Sequence, residues 1–334
     1  MELSIDELMP ISISEFEGTS KIPLDLYVKL DDNKFLLVVR AGTEASVMAL
    51  SDFARQHLEE VWVKKIEFRK NVSKNILNAS TVLSNRSDLA PSGQASVLSH
   101  ATNAVFNEIE KLGFSRETYI HAKNITGSIV KMVDQKPELS QIIAGLELSS
   151  DRLVDHSVAV SAISVMIGRV LNWQKDTTIE KLGLGGILHD IGKKELSKEL
   201  LNKPRIDWSH DEMTEYETHP HRGMQILQTL DAIPDDVISI VYEHHENAFG
   251  QGFPRKLREV RMNPLAKVVS LANAFVNLTL SNINSPRTKS AKEAIHHLEN
   301  IQGRPYNREA FLALKALVER DQTAHHKKIK KGAA

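Results

Sequence analysis

Gly186-Ile187-Leu188-His189-Asp190-Ile191-Gly192-Lys193 is an apolar run that turns into a His-Asp pair and is followed by a lysine. Neighbouring residues on a helix project about 100° apart, so the two side chains of such a pair reach one ion only where a helix end meets a cavity. Alone, the pair reads as a cap or a satisfied surface contact. Its surroundings add weight: His156 lies upstream, His219 downstream, and His244-His245 follow. Imidazoles and a carboxylate at spaced points suit a borderline transition metal.

Around this stretch the pattern is helical. His156 stands at the N-terminal end of an apolar face made by Val158, Val160, Ile163, Val165 and Ile167. Residues 181–188 form a helical run whose Gly183, Gly185 and Gly186 permit close approach of other backbone. Lys203-Pro204 marks a loop, a helix starts over 212–217, and Thr218-His219-Pro220 opens the next. Further helices are expected over 264–280 and 291–300. His210 reads as a loop residue, His221 lies about 200° around its helix from His219, and His296-His297 read as solvated. The basic tail, 319–334, reads as a frayed, solvated end.

Upstream the character changes twice. In residues 1–68, Ile22, Leu24, Leu26, Val28 and Leu30 alternate, Asp31-Asp32-Asn33 supplies a turn, and Phe35 to Val39 is a second apolar run. This predicts a hairpin with one buried face, a short helix from about Ser46 and a third strand from Val61 to Phe68. The module is a small α/β unit suited to sensing or docking. Residues 69–148 read as a connector of about three helices, broken near Pro91-Ser92-Gly93, Gly113 and Lys136-Pro137.

Composition sets outer limits. The chain has 334 residues, 41% hydrophobic and 25% charged, which leaves room for two domains and a sizeable core. Net charge is −1, so no overall basic field recruits DNA. Cysteine is absent, which excludes disulfides, thiolate metal sites and a cysteine nucleophile. The acidic start without an apolar segment behind it, and the lack of an obvious membrane span, predict a cytoplasmic protein.

His189-Asp190-Ile191-Gly192-Lys193, Thr218-His219-Pro220, His244-His245-Glu246 and Gly252-Phe253-Pro254, in that order, resemble the signature of the HD-GYP family. That family is a branch of the HD superfamily of metal-dependent phosphohydrolases and hydrolyses the bacterial signalling nucleotide cyclic di-GMP. The resemblance covers residues 149–318 and implies a mainly α protein: an all-helical HD-type C-terminal domain behind the small α/β N-terminal one. It implies His156, His189 and Asp190 as ligands of one metal, with Asp190 bridging to a second held by His219, His244 and His245. It implies two divalent transition metal ions, iron or manganese, that activate a bridging hydroxide for in-line attack on the phosphodiester. Lys193 would face the substrate phosphate, and Glu246 would orient an imidazole.

Four departures from the family pattern bear on activity. Where the family has its last metal carboxylate, this chain has Asn273, a neutral and weaker donor. Members with a third metal carry Glu where Arg152 stands, which leaves a two-metal site. The Gly-Tyr-Pro tyrosine is Phe253, so the ring survives without its hydroxyl. The basic residues that follow the family's Asp segment are out of register, with Arg287 and Lys289 as substitutes from a shifted loop. The expected function is therefore a cyclic di-GMP phosphodiesterase. The alternative is a catalytically weak domain that binds cyclic di-GMP or a partner protein such as a diguanylate cyclase.

Overall fold

The computed structural model describes residues 4–16, 20–31, 34–44, 60–86, 88–136, 138–146, 152–283, 287–301 and 306–332. The chain divides into two compact units, Met1–Asn78 with Asn107–Gly113, and Ala79–Phe106 with Phe114–Ala334.

The first unit holds a four-stranded sheet of β1 (Leu8–Ser12), β2 (Leu26–Asp31), β3 (Lys34–Val39) and β4 (Glu60–Lys64), in the order β1-β4-β2-β3 with antiparallel pairing throughout. The expected hairpin is β2–β3. Its burial is less regular than alternation predicts: Leu26 and Tyr27 are both buried, and Leu30 is 54% exposed at the far end. Register shifts at Leu26/Tyr27 and Lys29/Asp31 interrupt the period of two, which turns side chains from one face to the other. β1 was not visible in the sequence, because Pro10 argues against a strand. It lies at the sheet edge, where a missing N–H is tolerated. The strand expected to reach Phe68 stops at Lys64, and Phe68 belongs to the following helix with its ring buried. The helix expected from Ser46 falls outside the described residues.

Four helices follow: α1 (Lys65–Asn85), α2 (Pro91–Leu112), α3 (Arg116–Gln135) and α4 (Leu139–Leu146). Their boundaries have local causes. Pro91 fills the first position of α2, where an N–H has no intrahelical acceptor. Ser115 and Thr118 form a reciprocal capping box at α3.

The rest of the second unit comprises α5 (Arg152–Val170), α6 (Asp176–Leu188), α7 (Lys198–Leu201), α8 (His210–Tyr216), α9 (His219–Gln228), α10 (Asp235–Glu243), α11 (Pro264–Thr279), α12 (Ala291–His296) and α13 (Arg308–Gly332). α5 is central and packs on α3, α4, α6, α11 and α13. Val158, Val160, Ile163, Val165 and Ile167 are all fully buried. Leu153–Val170 is long and apolar enough to cross a membrane, but 78% of it is buried within the protein, as befits a core helix. Truncating a side chain such as Ile163 to Ala there costs about 2–5 kcal/mol.

Two glycines set the spacing around the His-Asp turn. A Cβ on Gly186 would lie 2.5 Å from Ser161 Cα, so its absence lets α6 approach α5 closely. A Cβ on Gly192 would lie 2.0 Å from the His219 carbonyl oxygen, so the turn after Asp190 sits directly against the start of α9. Two local expectations change. His210 is not in a loop but is the first residue of α8, capped by Ser209 and Glu212. The basic tail is not frayed along its backbone, because α13 continues to Gly332.

Candidate metal centre

Three helices end at the centre, and each end places a histidine. A helix leaves its last carbonyls without intrahelical donors. His189 Nδ1 meets the Gly186 carbonyl at 2.8 Å near the end of α6, and His244 Nδ1 meets the Val241 carbonyl at 2.8 Å near the end of α10. His219 Nδ1 meets the Tyr216 carbonyl at 2.7 Å at the end of α8. Only a protonated Nδ1 can donate to these oxygens, so where a ring is neutral the Nε2 turned inward is the unprotonated nitrogen. The helix ends thus fix tautomer and direction together.

The inward atoms converge on Asp190. Its Oδ2 lies 3.2 Å from His189 Nε2 and 3.8 Å from His156 Nε2, while its Oδ1 lies 3.2 Å from His219 Nε2 and 3.5 Å from His244 Nε2. His156 and His189 approach each other at 3.2 Å through their Nε2 atoms, as do His219 and His244. Two ligand sets share the carboxylate: His156, His189 and Asp190, and Asp190, His219, His244 and His245. The Asp190 Oδ1 and His245 Nε2 atoms are buried without a hydrogen-bond partner. Buried polar atoms with no donor or acceptor opposite them are costly, and convergent lone pairs repel unless a cation lies between them. The donor set therefore fits divalent metal binding.

Protonation agrees with that fit. Burial pushes His156 down to about 3, reinforced by His189, and burial pushes His244 down to about 3 as well. Burial also lowers His219 and His245, the latter with help from His244 and His219. A neutral imidazole is the form that binds metal. For Asp190, burial opposes ionisation, but His189 and Lys193 outweigh it and hold the carboxyl well below its usual range. Lys193 lies on the 3₁₀ turn Ile191–Glu195 with Nζ 2.5 Å from Asp190 Oδ2; burial opposes its charge, and Asp190 more than restores it.

Asn273, on α11, is buried beside His156, and its Oδ1 accepts from Asn277 Nδ2 at 2.9 Å. Phe253 stacks on His245 with ring centroids 4.4 Å apart and planes 23° apart. Its loop is held from below: Glu246 Oε1 accepts from Arg255 N at 2.6 Å and Oε2 from Leu257 N at 2.8 Å. Glu246 therefore anchors the Phe253 loop, where the resemblance had implied an imidazole partner. Gly252 fits beneath the His245 carbonyl, which a Cβ would approach to 2.2 Å.

His221, as its angle from His219 predicts, and the two basic residues Arg287 and Lys289 are not among these ligands. His221 packs on Tyr242 at 5.9 Å. Arg287 is exposed, and Lys289 is half-buried with its N–H on the Leu278 carbonyl. Sequence reading missed Tyr216 and Arg205. The Tyr216 ring lies 4.7 Å from His219 and packs edge-on to Phe253, and the Arg205 guanidinium lies 4.5 Å from the Tyr216 ring. The signal was weak, since an aromatic residue three positions before a histidine reads as ordinary core.

The HD domain description fits residues 139–309, half of the chain. In structure the chain is similar to Bd1817, an HDG"Y"P protein from Bdellovibrio bacteriovorus, with a TM-score of 0.65 and 25% identity over 93% of this chain and 99% of that one. The chain belongs to the HD-GYP family. As an HD-GYP protein it is also 28% identical over 183 residues to a cyclic di-GMP phosphodiesterase from Pseudomonas aeruginosa, covering 55% of this chain and 44% of that protein. A cyclic di-GMP phosphodiesterase from Thermotoga maritima is 27% identical over 176 residues, covering 47% of each. The chain thus spans less than half the length of these two relatives.

Proposed function

We propose that this HD-GYP chain is a metal-dependent phosphodiesterase that hydrolyses cyclic di-GMP with two divalent ions, which two ligand sets sharing Asp190 would hold. The observation that carries the reading is the division of the Asp190 carboxylate, one oxygen toward His189 and His156 and the other toward His219 and His244. His156, His189, Asp190 and Asn273 would hold one ion, and Asp190, His219, His244 and His245 the other. When bound, such ions supply Lewis acidity toward the phosphodiester and its attacking water. Imidazole and carboxylate donors without thiolate are compatible with iron or manganese.

The chain's own residues have separable tasks. Asp190, ionised, presents one oxygen to each ligand set. Lys193 keeps a proton on Nζ beside that carboxylate, and a compact cation there favours an anionic substrate. Phe253 covers His245 and excludes water from that side. The two named relatives support the choice of substrate, as each is a cyclic di-GMP phosphodiesterase.

A second reading is a domain that keeps its metals and works by binding cyclic di-GMP or a partner such as a diguanylate cyclase. Asn273 favours it: the amide is neutral, and its oxygen shares its donor capacity with a hydrogen bond from Asn277. One experiment separates the two. Metal content is measured on freshly purified protein, and cyclic di-GMP hydrolysis and binding are followed after iron or manganese loading. About two metals per chain with turnover supports the enzyme. Metals and nucleotide binding without turnover support the binding domain, and absence of both metal and nucleotide binding overturns both.

A further inference from the structure

Tyr216 joins the metal centre to a second cation. One ring lies 4.7 Å from the His219 ring, 5.4 Å from Lys193 Nζ and 4.5 Å from the Arg205 guanidinium. The Arg205 guanidinium carbon also lies 5.4 Å from the centre of the Trp208 ring, which is 4.8 Å from the Tyr216 ring. A guanidinium over a ring is held by its cation–π attraction, and it carries five N–H donors, so those not engaged elsewhere can meet a phosphate.

The segment carrying Arg205 is tied down. Arg205–Asp207 is a 3₁₀ turn after Pro204, closed by Trp208 N donating to the Arg205 carbonyl at 3.1 Å. Trp208 Nε1 donates to the Lys203 carbonyl at 2.9 Å, and Lys203 Nζ reaches both Glu212 oxygens at 2.8 and 2.9 Å. Glu212 in turn caps α8 through Ser209 N. Lys203 is therefore engaged by a carboxylate and holds the segment's shape. Arg205 is exposed on a fixed frame, and Tyr216 is its link to the metal ligand His219.

Cyclic di-GMP carries two phosphodiesters, and a centre that cleaves one leaves the other in need of a cation. We propose that Arg205, docked on Tyr216, binds the substrate phosphate that is not being cleaved. The assignment rests on the proposed action on cyclic di-GMP and deepens it. Arg205 would be a substrate-binding residue, with Tyr216 and Trp208 as its positioning residues.

The test compares metal-loaded wild type with Arg205→Ala and Arg205→Lys on two substrates, cyclic di-GMP and bis(p-nitrophenyl) phosphate, which has a single phosphodiester. Cyclic di-GMP binding is measured by calorimetry on the same samples. Arg205→Ala is expected to weaken cyclic di-GMP binding about tenfold and to lower the kcat/KM preference for the dinucleotide by a similar factor, mainly through KM. Arg205→Lys keeps the charge without the flat fork and should recover only part of the loss. A change in kcat/KM preference is not what loss of a merely structural stacking contact would give. If wild type binds the dinucleotide and Arg205→Ala binds it equally well with unchanged preference, the role of Arg205 is overturned and the proposed function stands. If wild type neither binds nor cleaves the dinucleotide, both are overturned.

Discussion

Asp190 Oδ1 lies 3.2 Å from His219 Nε2, on the opposite side of the carboxylate from the oxygen that faces His189. A single residue thus serves two ligand sets, and single substitutions should separate them. His219→Ala is expected to lose one metal and keep the other, whereas Asp190→Ala should lose both. Turnover should fall on the order of a hundredfold or more in each. Metal analysis beside an activity assay checks this, and a His219→Ala protein with full metal content and turnover would contradict the shared-carboxylate reading.

Glu246 holds the Phe253 loop through two backbone N–H groups, at Arg255 and Leu257. Glu246 is buried, and removing this acceptor orphans two backbone donors. Glu246→Ala is expected to cost about 2–4 kcal/mol in urea unfolding. Because Phe253 rests on His245 from the same loop, a thermolysin cleavage site should also open between residues 250 and 258. An unchanged digestion pattern would mean that the loop is held by other contacts.

Gly192 explains why the His-Asp turn tolerates no side chain at that position. The would-be Cβ meets the His219 carbonyl at 2.0 Å and the Gly223 amide nitrogen at 2.5 Å, both backbone atoms that cannot swing aside. Gly192→Ala should destabilise the fold by about 1–3 kcal/mol and reduce bound metal, since the strain falls between Asp190 and His219. Circular dichroism melting and metal analysis on the same sample provide the check.

Much of this was legible before any coordinates. The residues that converge on Asp190 were named by the family resemblance through motifs in a fixed order, and the helices around them follow from apolar spacing and from proline starts such as Pro264 and Pro91. What stayed hidden depends on contacts between distant segments. Pro10 concealed β1, because an edge position is a property of the sheet and not of the strand. The anchoring by Glu246 needed the fold of residues 252–257 beneath it. Arg205 and Tyr216 carried no motif, and only packing brings them to His219.

Asp236 offers a pH test remote from the ligands. Its Oδ2 lies 2.6 Å from Lys181 Nζ and its Oδ1 accepts from Asn263 Nδ2 at 2.9 Å, which ties α10 to α6 and to the cap of α11. Lys181 and then Asn263 lower its pKa. A carboxylate whose folded pKa is depressed adds stability above its unfolded value, about 3.9, and loses it as pH falls through the folded one. Asp236→Asn should therefore be less stable than wild type at pH 7 by up to about 1 kcal/mol, since the pair is partly exposed and screened. The gap should narrow below about pH 4. Urea titrations at both ends of that range decide it, and a gap that widens on acidification would reverse the sign.

Asn273→Asp is the substitution that should strengthen the centre. The amide sits at His156 with its oxygen turned to Asn277, so it brings no charge to the ligand set that it adjoins. A carboxylate there would add a negative donor beside His156 and His189, and Asn277 Nδ2 could still donate to one of its oxygens. Under the two-metal reading, affinity for the ion at His156 and His189 should rise about tenfold in chelator competition, with turnover of cyclic di-GMP rising in the same direction. Without metal the added charge would be buried beside Asp190, so the metal-free variant should be less stable than the metal-free wild type. That opposition, weaker without metal and tighter with it, is what a mere packing role for Asn273 would not produce.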